Sequence, residues 1–521
     1  ENNYLTLCNA LKEQYDGLIN GENTIYNGIQ QSITIPSSFT TIPSLFFRGS
    51  PSLTSVTFTT PSSVTSIGDS AFRECSSLTS ITIPPSVTEI GSCAFRYCSS
   101  LTSVTFKRGS SLTRIGGDAF RGCLELASIT IPSSVTEIGQ AAFGDCSSLT
   151  SIDIPSSVKE IHQEAFCGCT SLTKVTIPSS VAYIGRSAFC CCSSLTSVTI
   201  PSSVTEISKA AFSGCSLTSV TIPSSVRTIG ADAFYACSSL TSVTIPSSVN
   251  KIGESAFFDC TSLTSVTIPS SVTEISKAAF SGCSLTSVTI PSSVRTIGAN
   301  AFYACSSLTS VTIPSSVTEI SKAAFSGCSL TSVTIPSSVR TIGANAFYAC
   351  SSLTSVTIPS SVNKIGESAF FGCTSITSVT IPSSVTRIDI YTFYFCSSLT
   401  SVTIPSSVRT IGARAFYFCS SLTSVTIPSS VTKIGEFAFK GCSSLTSITI
   451  PPSVTEIGSH AFSTCSSLTS ITIPPLVTEI GNCTFEHCSS LTSVTFKRGS
   501  SLTRIGGDAF RGCLELASIT I

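Results

Sequence analysis

Apolar residues return along this chain in short rhythms nested inside one long one. Across residues 195–216, Leu195, Val198 and Ile200 stand at positions 1, 4 and 6 of a unit, and Val198-Thr199-Ile200 alternates as a half-buried strand does. Pro201 closes that strand because it has no N–H to offer a neighbour. Val204 and Ile207 turn inward again at positions 10 and 13, which predicts a second short extended segment. Most units carry Gly where this one has Ser208, so a turn with a permissive backbone is expected there. Ala211, Phe212 and Cys215 make a third inward cluster, at a spacing that suits one turn of a helix.

The unit recurs about every 23 residues from about Ile33 to Ile521. A lone coil cannot bury three apolar walls on itself, so coils must stack, about 4.8 Å apart, pairing their strands into a parallel sheet. Counted by the recurring Phe from Phe47 to Phe510, this gives about 21 coils, a solenoid on the order of 100 Å long. Length changes fall between inward residues, where a turn absorbs them: a Ser is lost after Cys215, Cys283 and Cys328, and residues are gained over 106–112 and 496–502.

The pattern Leu-x-x-Val-x-Ile-Pro-x-x-Val-x-x-Ile-Gly-x-x-Ala-Phe-x-x-Cys, repeated some twenty times over residues 33–521, closely resembles the BspA-like, or Treponema-type, leucine-rich-repeat family. The resemblance implies a curved solenoid with its parallel β-sheet on the concave face and short helical turns elsewhere. It also implies a surface protein of certain bacteria and parasitic protists, used for adhesion to host proteins or other cells. It carries over no fixed set of binding residues and no cofactor.

Residues 1–32 lack the repeat. Tyr4, Leu7, Leu11, Tyr15 and Leu18 recur at three- to four-residue spacing, which predicts an amphipathic helix capping the first coil. Residues 33–521 read as one continuous repeat. The last 31 residues, 491–521, duplicate 101–131, and the final coil is expected to expose core and strand edge, as a cropped chain or one that docks end to end would.

Composition narrows the function. Lys plus Arg equals Asp plus Glu at 28 each, so no basic field exists to draw in nucleic acid or an anionic membrane surface. Hydrophobic residues make up 41%, enough for a core, yet Ser and Thr interrupt every apolar run and no membrane span is expected. The chain has no Met, so its translation start is not among these residues.

Of 26 cysteines, twenty from Cys75 to Cys513 share one inward position and are expected as free, buried thiols. Cys167 and Cys190, at position 19 of adjacent coils beside Cys169, Cys191 and Cys192, are the candidates for a disulfide. Cys483, His487 and Cys488 have a loose ligand spacing, but the ladder role of Cys488 argues against zinc, so no metal is expected. Asn482-Cys483-Thr484 is the one N-glycosylation pattern. The three histidines, His162, His460 and His487, share no repeat position, and no carboxylate pair or nucleophile elbow breaks the repeat, so no catalytic site is expected.

Three surface features remain. At positions 11 and 12, Glu206 with Arg227, Glu274 with Arg295, and Glu319 with Arg340 are expected to meet diagonally between rungs and register the stack, or to present a charged binding surface. At positions 3 and 5, rows such as Ser197 and Thr199, Ser219 and Thr221, and Ser242 and Thr244 are either solvated filler or a periodic array suited to glycans or a lattice. Position 19 reads Arg73, Arg96 and Arg121, then Tyr235, Phe258, Tyr303, Tyr348, Phe371, Tyr394 and Tyr417, with Phe395 and Phe418 beside the last two. Those aromatics either pack on one another or form a partner-binding edge.

The resulting expectation is a non-enzymatic, cell-surface or secreted adhesion protein that meets a protein or glycan on another cell or matrix through an extended surface. The alternatives are a protein that self-associates into filaments or a layer, and a glycan or lattice binder using the Ser/Thr rows.

Overall fold

The structure, a computed structural model, describes residues 31–520. The expected N-terminal cap therefore lies outside the described residues, except for its last two. The chain divides into two compact units, Glu1–Leu263 and Thr264–Ile521. Both are built from the same coil, giving a parallel β-solenoid of about 21 coils of about 23 residues.

In the first unit, β1 (Ser80–Ile83) and β2 (Glu89–Ile90) form two walls of one coil, and β3 (Ser103–Phe106) and β4 (Arg114–Ile115) the same walls of the next. β1 pairs with β3 in parallel with Ile81 opposite Val104, and β2 pairs with β4 with Ile90 opposite Ile115. The second unit repeats this: Val333 of β5 (Ser332–Thr334) lies opposite Val356 of β7 (Ser355–Thr357). Ile342 of β6 (Thr341–Ile342) lies opposite Ile365 of β8 (Lys364–Ile365). Equal repeat positions thus always face each other, so a slip of one residue would carry every Val and Ile out of the core.

The third wall differs from the helical turn that the spacing suggests. Two residues in each coil, at positions 16 and 20, take left-handed conformations, as Asp232 (φ 56°) and Ala236 (φ 53°) do on either side of Phe234. A helix would consume its own N–H groups. Here Asp232, Phe234 and Ala236 instead donate theirs to Glu254, Ala256 and Phe258 of the following coil, at 2.9, 2.8 and 2.7 Å. Ala233, Tyr235 and Cys237 close three-residue turns to Gly230, Asp232 and Phe234. The wall is a stack of turns.

The recurring Gly has a reason other than a left-handed φ. A Cβ on Gly343 would lie 2.7 Å from the Lys322 nitrogen and 2.8 Å from the Ser321 carbonyl carbon. Neighbouring coils touch backbone to backbone at this corner, which favours a residue without a side chain, although some coils carry Ser there, as at Ser208, Ser276 and Ser321.

Two buried ladders line the core behind the turn wall. Fully buried Phe rings stack coil on coil, from Phe47 on Phe72 at 5.0 Å through Phe234 on Phe257 at 5.3 Å in the first unit. In the second they run from Phe280 on Phe302 at 5.7 Å to Phe485, on which the half-buried Phe510 stacks at 5.5 Å. Offset stacks of this kind contribute about 1 kcal/mol per pair beyond the apolar area they bury. Alongside them the ladder thiols donate to the Phe carbonyl of the preceding coil, as Cys98 does to Phe72 at 3.0 Å and Cys350 to Phe325 at 3.1 Å. The repeated cysteine is therefore a small apolar filler that also satisfies a buried acceptor.

Hydroxyls register the stack further. Ser248 Oγ donates to the Val226 carbonyl at 2.7 Å and Thr241 Oγ1 to the Thr218 carbonyl at 3.2 Å, each crossing one coil. The expected diagonal ion pairs do not form among the described residues. In-register pairing puts Glu206 opposite Thr228, while the Arg227 N–H bonds the Thr205 carbonyl. Charges meet straight across instead, as Arg114 does with Glu89 at 2.6 Å and Glu137 at 3.2 Å. These side chains are over two-fifths exposed, so each pair is worth about 0–1 kcal/mol.

Candidate functional site

The turn wall carries its outward side chains in three parallel rows, at positions 16, 19 and 20. The row at position 19 sits between the two left-handed residues, and its carbonyl accepts an N–H from the coil before, as Tyr394 accepts from Gly372 at 2.7 Å. Because every coil repeats this backbone, side chains in a row inherit the coil spacing, and flat rings in adjacent coils must stack.

The structure breaks the predicted aromatic edge into three pieces. In the first unit Tyr235 stacks on Phe258 at 5.0 Å. In the second, Tyr303 is 47% exposed, with Ser281 and Ser326 at the equivalent places in the coils around it. Tyr348, Phe371, Tyr394 and Tyr417 then run without interruption, with centroids 4.5, 4.5 and 4.6 Å apart.

Only this last run is widened by its neighbours. Phe395 and Phe418, in the row at position 20, stack at 5.2 Å and meet Tyr394 and Tyr417 edge to face at 5.0 and 4.7 Å. At position 16, Arg414 lies 5.5 Å from the Tyr391 ring and 4.4 Å from Phe437, and its Nη1 donates to the Tyr391 hydroxyl at 3.1 Å. Phe437 stacks on His460 at 4.6 Å. Sequence reading missed Tyr391, Arg414, Phe437 and His460 as a group, although their spacing of 23 residues was the available signal.

The stacked rings keep their edges outward and their faces against each other. Burial among them, with Tyr417 the next largest influence, holds the Tyr394 phenol above its ordinary range. Phe395 (φ 59°) and Phe418 (φ 56°) are 42% and 36% exposed and left-handed, where the flanking coils use Gly372 and Gly441. A side chain in that conformation costs about 1–2 kcal/mol relative to Gly. The ring contacts of about 1 kcal/mol each offset that penalty, so the two rings gain the fold little.

The other predicted residues are placed as follows. Arg121 contacts Asp145 at 3.1 Å, Asp118 at 3.3 Å and Glu164 at 3.9 Å, so this basic residue is charge-satisfied within the wall. Cys167 and Cys190 are free thiols in adjacent coils, not a disulfide. A hydrogen bond with Cys190 lowers the Cys167 pKa and raises that of Cys190, whose sulfur lies 3.5 Å from Cys191. Asn482 is exposed and its Oδ1 accepts the Gly507 N–H, whereas Thr484 of the same motif is buried and donates to the Gly481 carbonyl at 2.8 Å. Cys488 donates to the Phe462 carbonyl and so stays in the ladder, apart from Cys483.

On the strand wall, Ser219, Thr221, Ser242 and Thr244 are exposed, and their hydroxyls have no protein partner among the described residues. No helix among the described residues is long and apolar enough to cross a membrane.

Walls of short parallel strands, a repeating Leu and Ile core and a coil of about 23 residues define a leucine-rich-repeat solenoid. The profile of the BspA type leucine rich repeat region matches residues 21–135, 113–241, 227–354, 318–433 and 409–521, and the chain belongs to that family. Among solved structures, it is similar to a leucine-rich repeat protein from Bacteroides ovatus, with 27% identity over 85% of this chain and 86% of that one, and a TM-score of 0.39. A leucine rich cell surface protein from Faecalibacterium prausnitzii shares 30% identity over 73% and 89%, with a TM-score of 0.40. The leucine-rich repeat protein of T. pallidum shares 36% over 33% and 80%, with a TM-score of 0.31. A search among curated proteins finds no match.

Proposed function

We propose that this chain is a cell-surface or secreted, non-enzymatic adhesion protein, and that the aromatic face from Tyr348 to Phe437 engages a protein partner. One observation carries this reading: Phe395 and Phe418 hold exposed rings in a conformation that the adjacent coils give to Gly. Interface cores are rich in Tyr, Phe and Arg, the residues gathered here around Arg414. The rings' faces are occupied by one another, leaving edges and the hydroxyls of Tyr348, Tyr394 and Tyr417, which suits insertion among apolar side chains better than stacking on a sugar ring. Family membership and the cell surface protein of F. prausnitzii support the location.

The test is adhesion of the labelled chain to cultured cells and to surfaces coated with matrix proteins. A variant combining Tyr348→Ser, Tyr394→Ser and Tyr417→Ser should lose most binding while keeping its circular dichroism spectrum. Unchanged adhesion would sink the assignment.

The unpartnered strand-face hydroxyls favour a second reading, binding of a glycan or other periodic surface. It predicts that Thr221→Val with Thr244→Val abolishes binding to a polysaccharide array and that the tyrosine variant does not.

A further inference from the structure

We propose a metal site on the turn wall of the second unit, formed by His460, Cys483 and Glu486 and suited to zinc or a similar borderline-soft divalent cation. It lies apart from the cysteine ladder and does not depend on the adhesion reading. His460 and Cys483 occupy position 16 of consecutive coils, and Glu486 position 19 beside Cys483, so the coil repeat itself brings the three together. One ligand atom from each, an imidazole nitrogen, the thiol sulfur and a carboxylate oxygen, lies within 4.8 Å of the others.

Three observations make the group a site. His460 Nδ1 is buried and has no hydrogen-bond partner, so a strong ligand atom faces inward with nothing to satisfy it. The Glu486 side chain is only 15% exposed, yet its oxygens accept no hydrogen bond among the described residues. Its nearest basic side chains stop short, with His460 Nδ1 at 3.7 Å, His487 Nε2 at 3.8 Å and Arg511 Nη1 at 3.8 Å. The His460 ring is also held in plane by its stack on Phe437, at 4.6 Å and 6°.

The dimensions fit the chemistry. Zinc bonds of about 2.0–2.2 Å to nitrogen and oxygen at tetrahedral angles place those two atoms roughly 3.3–3.6 Å apart, so the His460–Glu486 edge, at 3.7 Å, has only a few tenths of an ångström to close. Closing Cys483 onto it needs a shift of about 1 Å or less. A thiolate, an imidazole and a carboxylate make a three-ligand set of the kind zinc accepts with water in the fourth position. Binding would release the Cys483 proton to solvent, and the divalent charge would be balanced by the thiolate and Glu486, with Asp508, Lys440, His487 and Arg511 in the surrounding shell.

The experiment uses the purified full chain, with Cys93, Cys167, Cys190, Cys191 and Cys513 changed to Ser so that the other accessible thiols among the described residues do not compete. Zinc affinity is measured against a chromophoric chelator, and cobalt(II) serves as the spectroscopic probe. A thiolate-to-cobalt charge-transfer band and one zinc per chain are expected. Cys483→Ser should abolish the band, and His460→Ala and Glu486→Gln should each weaken zinc at least about tenfold with the fold intact by circular dichroism. Absence of the band, or zinc binding unchanged in both His460→Ala and Cys483→Ser, overturns the proposal.

Discussion

The thiol of Cys350 donates to the carbonyl oxygen of Phe325 in the preceding coil, 3.1 Å away, and the same contact recurs along both units. Replacing Cys350 by Ala removes a weak hydrogen bond and leaves a small void in a fully buried place. The expected loss is about 1–2 kcal/mol, measured by urea unfolding. Replacing Phe347, whose ring is stacked on both sides, should cost about 3–5 kcal/mol for Phe347→Ala.

The same ladder predicts a selective pattern of thiol reactivity. Burial pushes Cys305, Cys350, Cys396 and Cys488 up to about 12, so they should resist alkylation at neutral pH in the native state. Cys191 is exposed and Cys167 is lowered by its neighbour Cys190. Mass spectrometry after brief iodoacetamide treatment should find label on these off-ladder residues, and equal labelling of Cys350 would contradict the ladder.

Alkaline pH should destabilise the fold. The ladder thiols ionise near 9.0 in an unfolded chain but only near 12 when folded, so above pH 9 the unfolded state loses protons first. Their stabilising contribution is complete below pH 9 and declines as pH rises towards 12. The denaturation midpoint should therefore be flat on the near side of pH 9 and fall beyond it, and a midpoint constant to pH 11 would count against these pKa values.

Gly343→Ala should be severe for so small a change. Its methyl would sit 2.7 Å from Lys322 nitrogen and 2.9 Å from Ile320 oxygen, both main-chain atoms that cannot rotate away. An overpacking cost of about 1–3 kcal/mol or more is expected from thermal or urea unfolding, against a few tenths at Gly507, where nothing lies closer than 4.0 Å.

Phe395→Gly with Phe418→Gly should separate binding from stability. Relief of two left-handed side chains offsets the lost ring contacts and the greater freedom of Gly, so stability should move by less than about 1 kcal/mol. Adhesion, on the proposed reading, should fall sharply. A large loss of stability would show that the two rings serve the fold.

The strand walls were legible in the sequence because alternation such as Val220-Thr221-Ile222 announces its own period, although around Val198 and Ile200 the strand shrinks to a single bridge from Thr199 to Thr221, and the inward Cys, Phe and Ile places follow from the 23-residue recurrence. The turn wall was less so. Ala211, Phe212 and Cys215 have helical spacing, and no composition signal distinguishes that from turns whose left-handed residues are Ala210 and Gly214. The aromatic edge was visible as a list of residues, but its breaks at Ser281 and Ser326 matter only once rings are known to stack coil on coil. His460 and Cys483 went unpaired for a related reason: their partnership lies between coils, at an outer position where the repeat letters vary freely.

The backbone bonds of the turn wall run against those of the corner beside it. Gly230 sends its N–H back to Ile207 at 2.8 Å, while Phe234, four residues on, sends its own forward to Ala256 at 2.8 Å. A coil therefore has a head and a tail, and two coils brought together head to head would oppose donor with donor at one corner and acceptor with acceptor at the other. Near-identical sequences, the usual invitation to mispairing, here enforce one direction of growth.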